Sequence, residues 1–215
     1  MFHSARSRII MVILTTCLGV SEVSAQAVLQ SYNSVTDSRL INPEDHNWLS
    51  YRGTLDGWGF SKLDQINDGN ISELEPVWSF STGVLGGHES PPIVNDGVMF
   101  VTTPGNFLYA IEAATGDLLW RYQHNLPESY IAFHRTNRGV ALYGDKVYMA
   151  RLDARVVALD AATGEKVWDT PVQDNSFGYY ITMAPLAIDG KILVGTSGGE
   201  LGIRGFVVAL DAESG

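Results

Sequence analysis

The sequence predicts an all-β fold, a β-propeller of four-stranded antiparallel blades, and three observations carry that prediction. A seven-residue motif recurs at Ala110 to Gly116 (AIEAATG), Ala158 to Gly164 (ALDAATG) and Ala209 to Gly215 (ALDAESG), its closing glycines 48 and 51 residues apart. In the first two copies a tryptophan, Trp120 or Trp168, stands ten residues after the opening alanine. Upstream of each motif a turn (Asn95-Asp96-Gly97, Gly144-Asp145 or Asp189-Gly190) separates two short apolar, β-branched runs. Asp-Gly-type turns between such runs mark hairpins. Two hairpins in a unit of about 45 to 50 residues make one propeller blade.

The elements follow in chain order. In the first unit Ile93-Val94 pairs with Val98 to Val101, and a second hairpin closes at Ala-Thr-Gly, where glycine supplies positive φ, and ends at Trp120. Ala141-Leu142 with Val147 to Met149, then Leu186 to Ile188 with Ile192 to Val194, open the second and third units. An earlier copy survives only as its last strand, Glu75 to Trp78. Recurrent Ala, Gly and Trp fit an indole lying flat between neighbouring blades, although a tryptophan can also stack on a ligand. The same strands could form a sandwich, but a sandwich needs no repeated unit.

Residues 74–215 therefore hold about three blades, whereas a closed propeller has at least four. The expectation is the N-terminal part of a longer protein, preceded at 26–73 by an irregular lead-in with one short helical turn near Ser61 to Asn67.

At the N-terminus Arg6 and Arg8 precede the apolar run Ile9 to Val20, and Val23-Ser24-Ala25 supplies small residues for cleavage. Residues 1–25 read as a secretory signal and place the protein in the periplasm. The run is 12 residues, short of the about 20 that a membrane-crossing helix needs. Thr16 before Cys17 argues against a lipoprotein site. Removing Arg6, Arg8 and Glu22 takes the net charge from −10 to −11. With that excess and no basic cluster, nucleic acid and anionic membranes are excluded as partners. Cys17 is the only cysteine, so the exported chain has no thiolate chemistry, disulfide or Cys-ligated metal.

One unit departs from the others. Between its second and third strands stands Ser197-Gly198-Gly199-Glu200-Leu201-Gly202-Ile203-Arg204-Gly205, where its predecessor has only Leu152 to Arg155. Consecutive glycines expose backbone N–H groups to an anion, and the carboxylate beside them suits a hard cation. A long solvated hairpin reads equally well. Glu89, Arg138 and Thr182 each stand just before the first strand of a unit. Equivalent positions share one end of a propeller, so these groups and Glu200 could converge on a planar, acidic ligand, or be solvated loop residues. His3, His46, His88, His124 and His134 lack metal-ligand spacing.

Trp78 to Gly83, Asn137 to Lys146 and Ser197 to Gly205, in this order and spacing, are similar to the pyrroloquinoline quinone (PQQ) dependent alcohol dehydrogenases, eight-bladed quinoproteins of the methanol and ethanol dehydrogenase group. The resemblance covers about Asn47 to Gly215. It implies that Glu89, Arg138, Thr182, Ser197, Gly198 and Gly199 line the PQQ pocket, and that Glu200 ligates a Ca2+ or lanthanide ion. That ion polarises the quinone carbonyl that accepts hydride from an alcohol. The resemblance further implies a c-type cytochrome or similar electron acceptor and a homodimer. The family's general base and Asn metal ligand have no counterpart in these residues, so the 215 residues alone are expected to give no turnover. The family's stacking Cys-Cys pair is replaced by Ala132 and Phe133, leaving Phe133 or His134 to offer a flat face. A non-catalytic PQQ-like propeller acting as an interaction scaffold is the other reading.

Overall fold

A computed structural model describes residues 27–215. The secretory signal and Cys17 lie outside the described residues. Among the described residues eleven strands form three antiparallel sheets, each a meander in chain order. The first contains β1 (Ile93–Asn95), β2 (Val98–Thr103), β3 (Phe107–Glu112) and β4 (Leu118–Gln123). The second contains β5 (Val140–Tyr143), β6 (Lys146–Ala150), β7 (Arg155–Asp160) and β8 (Lys166–Pro171). The third contains β9 (Leu186–Ile188), β10 (Lys191–Gly195) and β11 (Val207–Asp211). The first two are the expected four-stranded blades, and the third shows three strands of one.

Composition sets the strand order. The inner strands are apolar on both faces: β5, β6 and β7 contribute Val140, Leu142, Val147, Tyr148, Met149, Val156, Val157 and Leu159 to one buried core. Outer β4 and β8 have no buried residue. The inner turns use the expected chemistry, with positive φ at both Asp96 and Gly97 and at both Asp189 and Gly190.

The tryptophans dock on the closing turn of the following blade, Trp78 from the segment before the first blade and Trp120 and Trp168 from the outer strands of the first and second. Trp78 Nε1 donates to the Ala113 carbonyl at 3.1 Å, Trp120 to Ala161 at 3.0 Å and Trp168 to Ala212 at 3.0 Å. Each indole lies over the glycine that closes the next blade's motif. A Cβ built on Gly164 would meet Trp120 at 2.7 Å, and one on Gly116 would meet Trp78 at 2.6 Å. Glycine is required there twice, for the indole and for its own φ of 74° or 80°. Within a blade Trp120 faces Ala110 and Trp168 faces Ala158, and in both the register shifts immediately afterwards. This repeated irregularity was not legible in the motif.

Two expectations are corrected. Among the described residues Glu75 to Trp78 pairs with no strand, and Trp78 docks through its indole. The helical turn expected near Ser61 to Asn67 is displaced. In that stretch Asn67 and Asn70 side chains bond the backbone of Gly69, Gln65 and Asn67 and hold turns instead. The helical pieces of the lead-in among the described residues are a turn at 27–30, α1 (Asp37–Ile41), capped by Thr36, and a 3-10 turn at Ile71–Glu73.

The lead-in is less irregular than expected, because it straps the turn end of all three blades. Asn33 N donates to Asp96 of the first blade at 3.0 Å. Val35 and Gly144 of the second exchange two backbone hydrogen bonds of 2.7 Å. Asp37 receives the Asp189 N–H of the third at 2.7 Å and the Tyr143 hydroxyl at 2.7 Å. Arg39 braces the strap, bonding Glu44 through Nε and Nη2 at 2.8 and 2.9 Å and Asn95 at 2.9 Å. The strap thus lies at the turn end of the blades, and their entry segments lie at the opposite end.

Two predictions follow from this packing. Gly164→Ala should destabilise the protein by about 1–3 kcal/mol more than Gly144→Ala in urea unfolding, because both bring positive-φ strain and only Gly164 faces an indole. Arg39 and Asn47 hold the Glu44 carboxyl at a pKa of about 2, against an ordinary 4.5. This depressed carboxylate stabilises the fold above its ordinary pKa, and its contribution disappears as the pH falls from about 4.5 to about 2. Glu44→Gln should therefore flatten the acid limb of a stability profile taken over that range.

Candidate functional site

The end opposite the strap collects the segments that enter each blade and the loops between second and third strands. Asn137 anchors one of them. Fully buried, it accepts from Thr102 Oγ1 at 2.8 Å and from Gly139 N at 3.0 Å, and donates to the Ala150 carbonyl at 2.8 Å. The residue it fixes next in the chain is Arg138.

Arg138 links all three blades. Its Nη2 lies 2.9 Å from Glu89 Oε2, its Nη1 donates to Thr182 Oγ1 at 2.7 Å, and its backbone N–H donates to the Thr182 carbonyl at 3.0 Å. Thr182 Oγ1 in turn lies 3.4 Å from Ser197 Oγ. Glu89, Arg138, Thr182 and Ser197, four separate expectations, thus form one continuous polar line. The Arg138 and Glu89 side chains are 40% and 46% exposed. An ion pair so open to water adds little to stability, so the fold does not account for it.

The insertion is laid against the entry segment of its own blade. Ser197 and Tyr180 exchange backbone hydrogen bonds of 2.7 and 3.3 Å. Gly198 is buried with φ of 117°, and any Cβ there would collide with the Gly178 carbonyl oxygen. Gly199 differs: it is exposed, and a Cβ on it would meet nothing within 4 Å. The fold does not need that glycine, whereas a ligand approaching the backbone would.

Glu200 sits on a 3-10 turn, Gly199–Leu201, and is exposed. Its carboxylate accepts a hydrogen bond from the buried Tyr180 hydroxyl, which holds its pKa below the ordinary value, with a smaller contribution from His134. Burial and the Glu200 carboxylate push the Tyr180 hydroxyl up to about 12, while the Phe133 backbone N–H offsets part of the rise. Glu200 is therefore next to the polar line, joined to it through Tyr180 and Ser197. Among the described residues no three His, Cys, Asp or Glu side chains gather as a metal-binding group. An ion at Glu200 requires other oxygen donors.

A groove of about 370 Å3 opens beside Glu89, walled by Leu85, Gly86, Gly87 and Pro104 on one side and by Phe133, His134, Arg135 and Thr136 on the other. Both candidate rings line it. Asn175 secures that second wall, accepting from Ile131 N at 2.8 Å and donating to the Ile131 carbonyl at 2.8 Å. Sequence reasoning missed Asn137, Asn175, Gly178 and Tyr180. For Asn137 the available clue was its place immediately before Arg138.

Residues 48–215 match the PQQ family, described as the β-propeller domain of glucose/ethanol/alcohol dehydrogenases. The chain belongs to this family. It is 39% identical over 190 residues to the quinohemoprotein alcohol dehydrogenase ADH-IIG of Pseudomonas putida, covering 85% of this chain and 26% of that protein. To methanol dehydrogenase [cytochrome c] subunit 1 of Methylorubrum extorquens it is 36% identical over 215 residues, 91% of this chain and 34% of the relative. Among solved structures, the P. putida HK5 ADHIIG enzyme matches with a TM-score of 0.80 over 86% of this chain and 28% of its own. A europium-containing methanol dehydrogenase matches with a TM-score of 0.77 and 37% identity, over 82% of this chain and 32% of its own. This PQQ-family chain thus spans between about a quarter and a third of the length of these relatives.

Asn137→Ala would strand three buried partners, so it should cost at least about 2 kcal/mol in urea unfolding. A variant as stable as the wild type would mean that the loop bearing Arg138 is held by other contacts.

Proposed function

We propose that the chain is the N-terminal part of a PQQ-dependent alcohol dehydrogenase, and that the end opposite the strap holds the cofactor and its ion. The observation that carries this reading is the continuous polar line Glu89–Arg138–Thr182–Ser197, open to water at Glu89 and Arg138 and ending beside Glu200, in a chain of this family. The donor set fits the group. A guanidinium and two hydroxyls suit a planar polyanion, exposed Gly199 admits it to the backbone, and a carboxylate oxygen suits a hard cation.

When bound, PQQ accepts the hydride, and the Ca2+ or lanthanide ion beside it polarises the accepting carbonyl. Arg138 binds and orients the cofactor's carboxylates, a task suited to a planar fork of donors. Glu89 holds the guanidinium in place from the other side at 2.9 Å, and Thr182 and Ser197 donate from their hydroxyls. Gly198 and Gly199 offer backbone N–H groups. Glu200 holds the ion, and Phe133 or His134 covers one face and excludes water. No residue here is assigned as general base, so the activity proposed is that of the longer polypeptide.

The substrate proposed is a small alcohol, oxidised to an aldehyde. Electrons pass to a c-type cytochrome or similar acceptor, a reading supported by relatives named as quinohemoprotein and cytochrome c dehydrogenases. The periplasm, reached through the secretory signal, is the proposed compartment. An interaction scaffold would have no use for the exposed ion pair or for Gly199.

In the full-length enzyme, Arg138→Lys should lower PQQ affinity, and Glu200→Gln should lower the affinity for Ca2+ by removing one formal charge from its ligands. Equilibrium dialysis with each ligand checks both. Unchanged affinities would remove these two residues from the site.

A further inference from the structure

We propose that Tyr180 is the positioning residue for Glu200, its buried hydroxyl fixing the carboxylate in the orientation in which it is presented to the cation. This inference rests on the reading of Glu200 as a ligand and adds to it the group that determines its geometry.

Glu200 by itself is poorly placed for the task. It is exposed, on a three-residue 3-10 turn flanked by glycines at 198, 199 and 202. A glutamate so placed has its full side-chain freedom, which an ion would have to remove. Tyr180 supplies the missing order. It is 1% exposed, and its hydroxyl donates to Glu200 Oε1.

The ring cannot withdraw from the turn, because the two backbones are locked together. Ser197 and Tyr180 are paired by two hydrogen bonds, Gly198 packs against the Gly178 carbonyl, and Leu201 covers Gly178 so closely that a Cβ on that glycine would lie 2.7 Å from its Cδ1. The contacts on either side of Glu200 thus seat its turn on residues 178–180. Tyr179, the neighbour of Tyr180, bonds elsewhere: its hydroxyl donates to the Arg204 carbonyl at 3.2 Å, bracing the far side of the same insertion.

The test compares Tyr180→Phe, Tyr179→Phe and Glu200→Gln in the full-length PQQ-loaded protein, with Ca2+ affinity and the luminescence lifetime of bound Eu3+ in H2O and D2O as readouts. Tyr180→Phe keeps the buried ring, so its urea midpoint reports whether the segment stays folded. It should weaken Ca2+ binding by about 3- to 10-fold, the size of one charge-assisted hydrogen bond, and shorten the Eu3+ lifetime in H2O as water replaces the loosened carboxylate. Tyr179→Phe should change neither. Unchanged or tighter metal binding in Tyr180→Phe, or an equal loss in Tyr179→Phe, would overturn the positioning role. Loss in Glu200→Gln alone would leave Glu200 as ligand and reject only Tyr180. No loss in Glu200→Gln would reject the ligand reading and the positioning role together.

Discussion

The indole that each blade lays on the closing turn of the next is the interaction on which the other features depend. It combines a hydrogen bond of 3.0–3.1 Å with a glycine whose missing Cβ the ring occupies. The hydrogen bond contributes about 1 kcal/mol net, and the covered apolar area adds about 1.5–3 kcal/mol for a large side chain. Repetition makes it architectural. Because the same atoms meet at each junction, the blades are brought together in the same way each time, and their entry segments emerge at one end.

That regularity explains how loops from different blades can form a site. Glu89, Arg138 and Thr182 are far apart in sequence, yet a side chain from one blade reaches the next without any long excursion of the chain. Where precision is needed, buried amides provide it: Asn137 ties the Arg138 loop to β2 and β6, and Asn175 ties the Phe133 wall to the next connection. Both asparagines satisfy backbone groups that an irregular segment would otherwise leave unpaired.

The blades were legible in the sequence because their determinants are local and repeated. The Ala-to-Trp spacing encodes a hairpin, and Asp-Gly turns fix its partner. The lead-in was less so. Its structure comes from Val35 and Asp37 meeting turns of distant blades and Trp48 pairing with Val94 of β1, which no local pattern reveals. Glu75 to Trp78 shows the converse, a segment with the motif's tryptophan but no strand to pair with. At the site, Glu89, Arg138, Thr182 and Ser197 could be named because charged or hydroxylated residues before a strand stand out. Tyr180 could not, since a tyrosine two residues before Thr182 looks like core until its hydroxyl is seen to reach the insertion.

The strap also sets an order of events in folding. Each blade closes through contacts within about 30 residues, and loops of that size form quickly. Asp37, by contrast, waits for Asp189 across 152 positions. During synthesis the strap emerges first and finds its last partner only when the third blade appears. The strap's final docking therefore reports that three blades are present and correctly stacked, a late check imposed by chain topology alone.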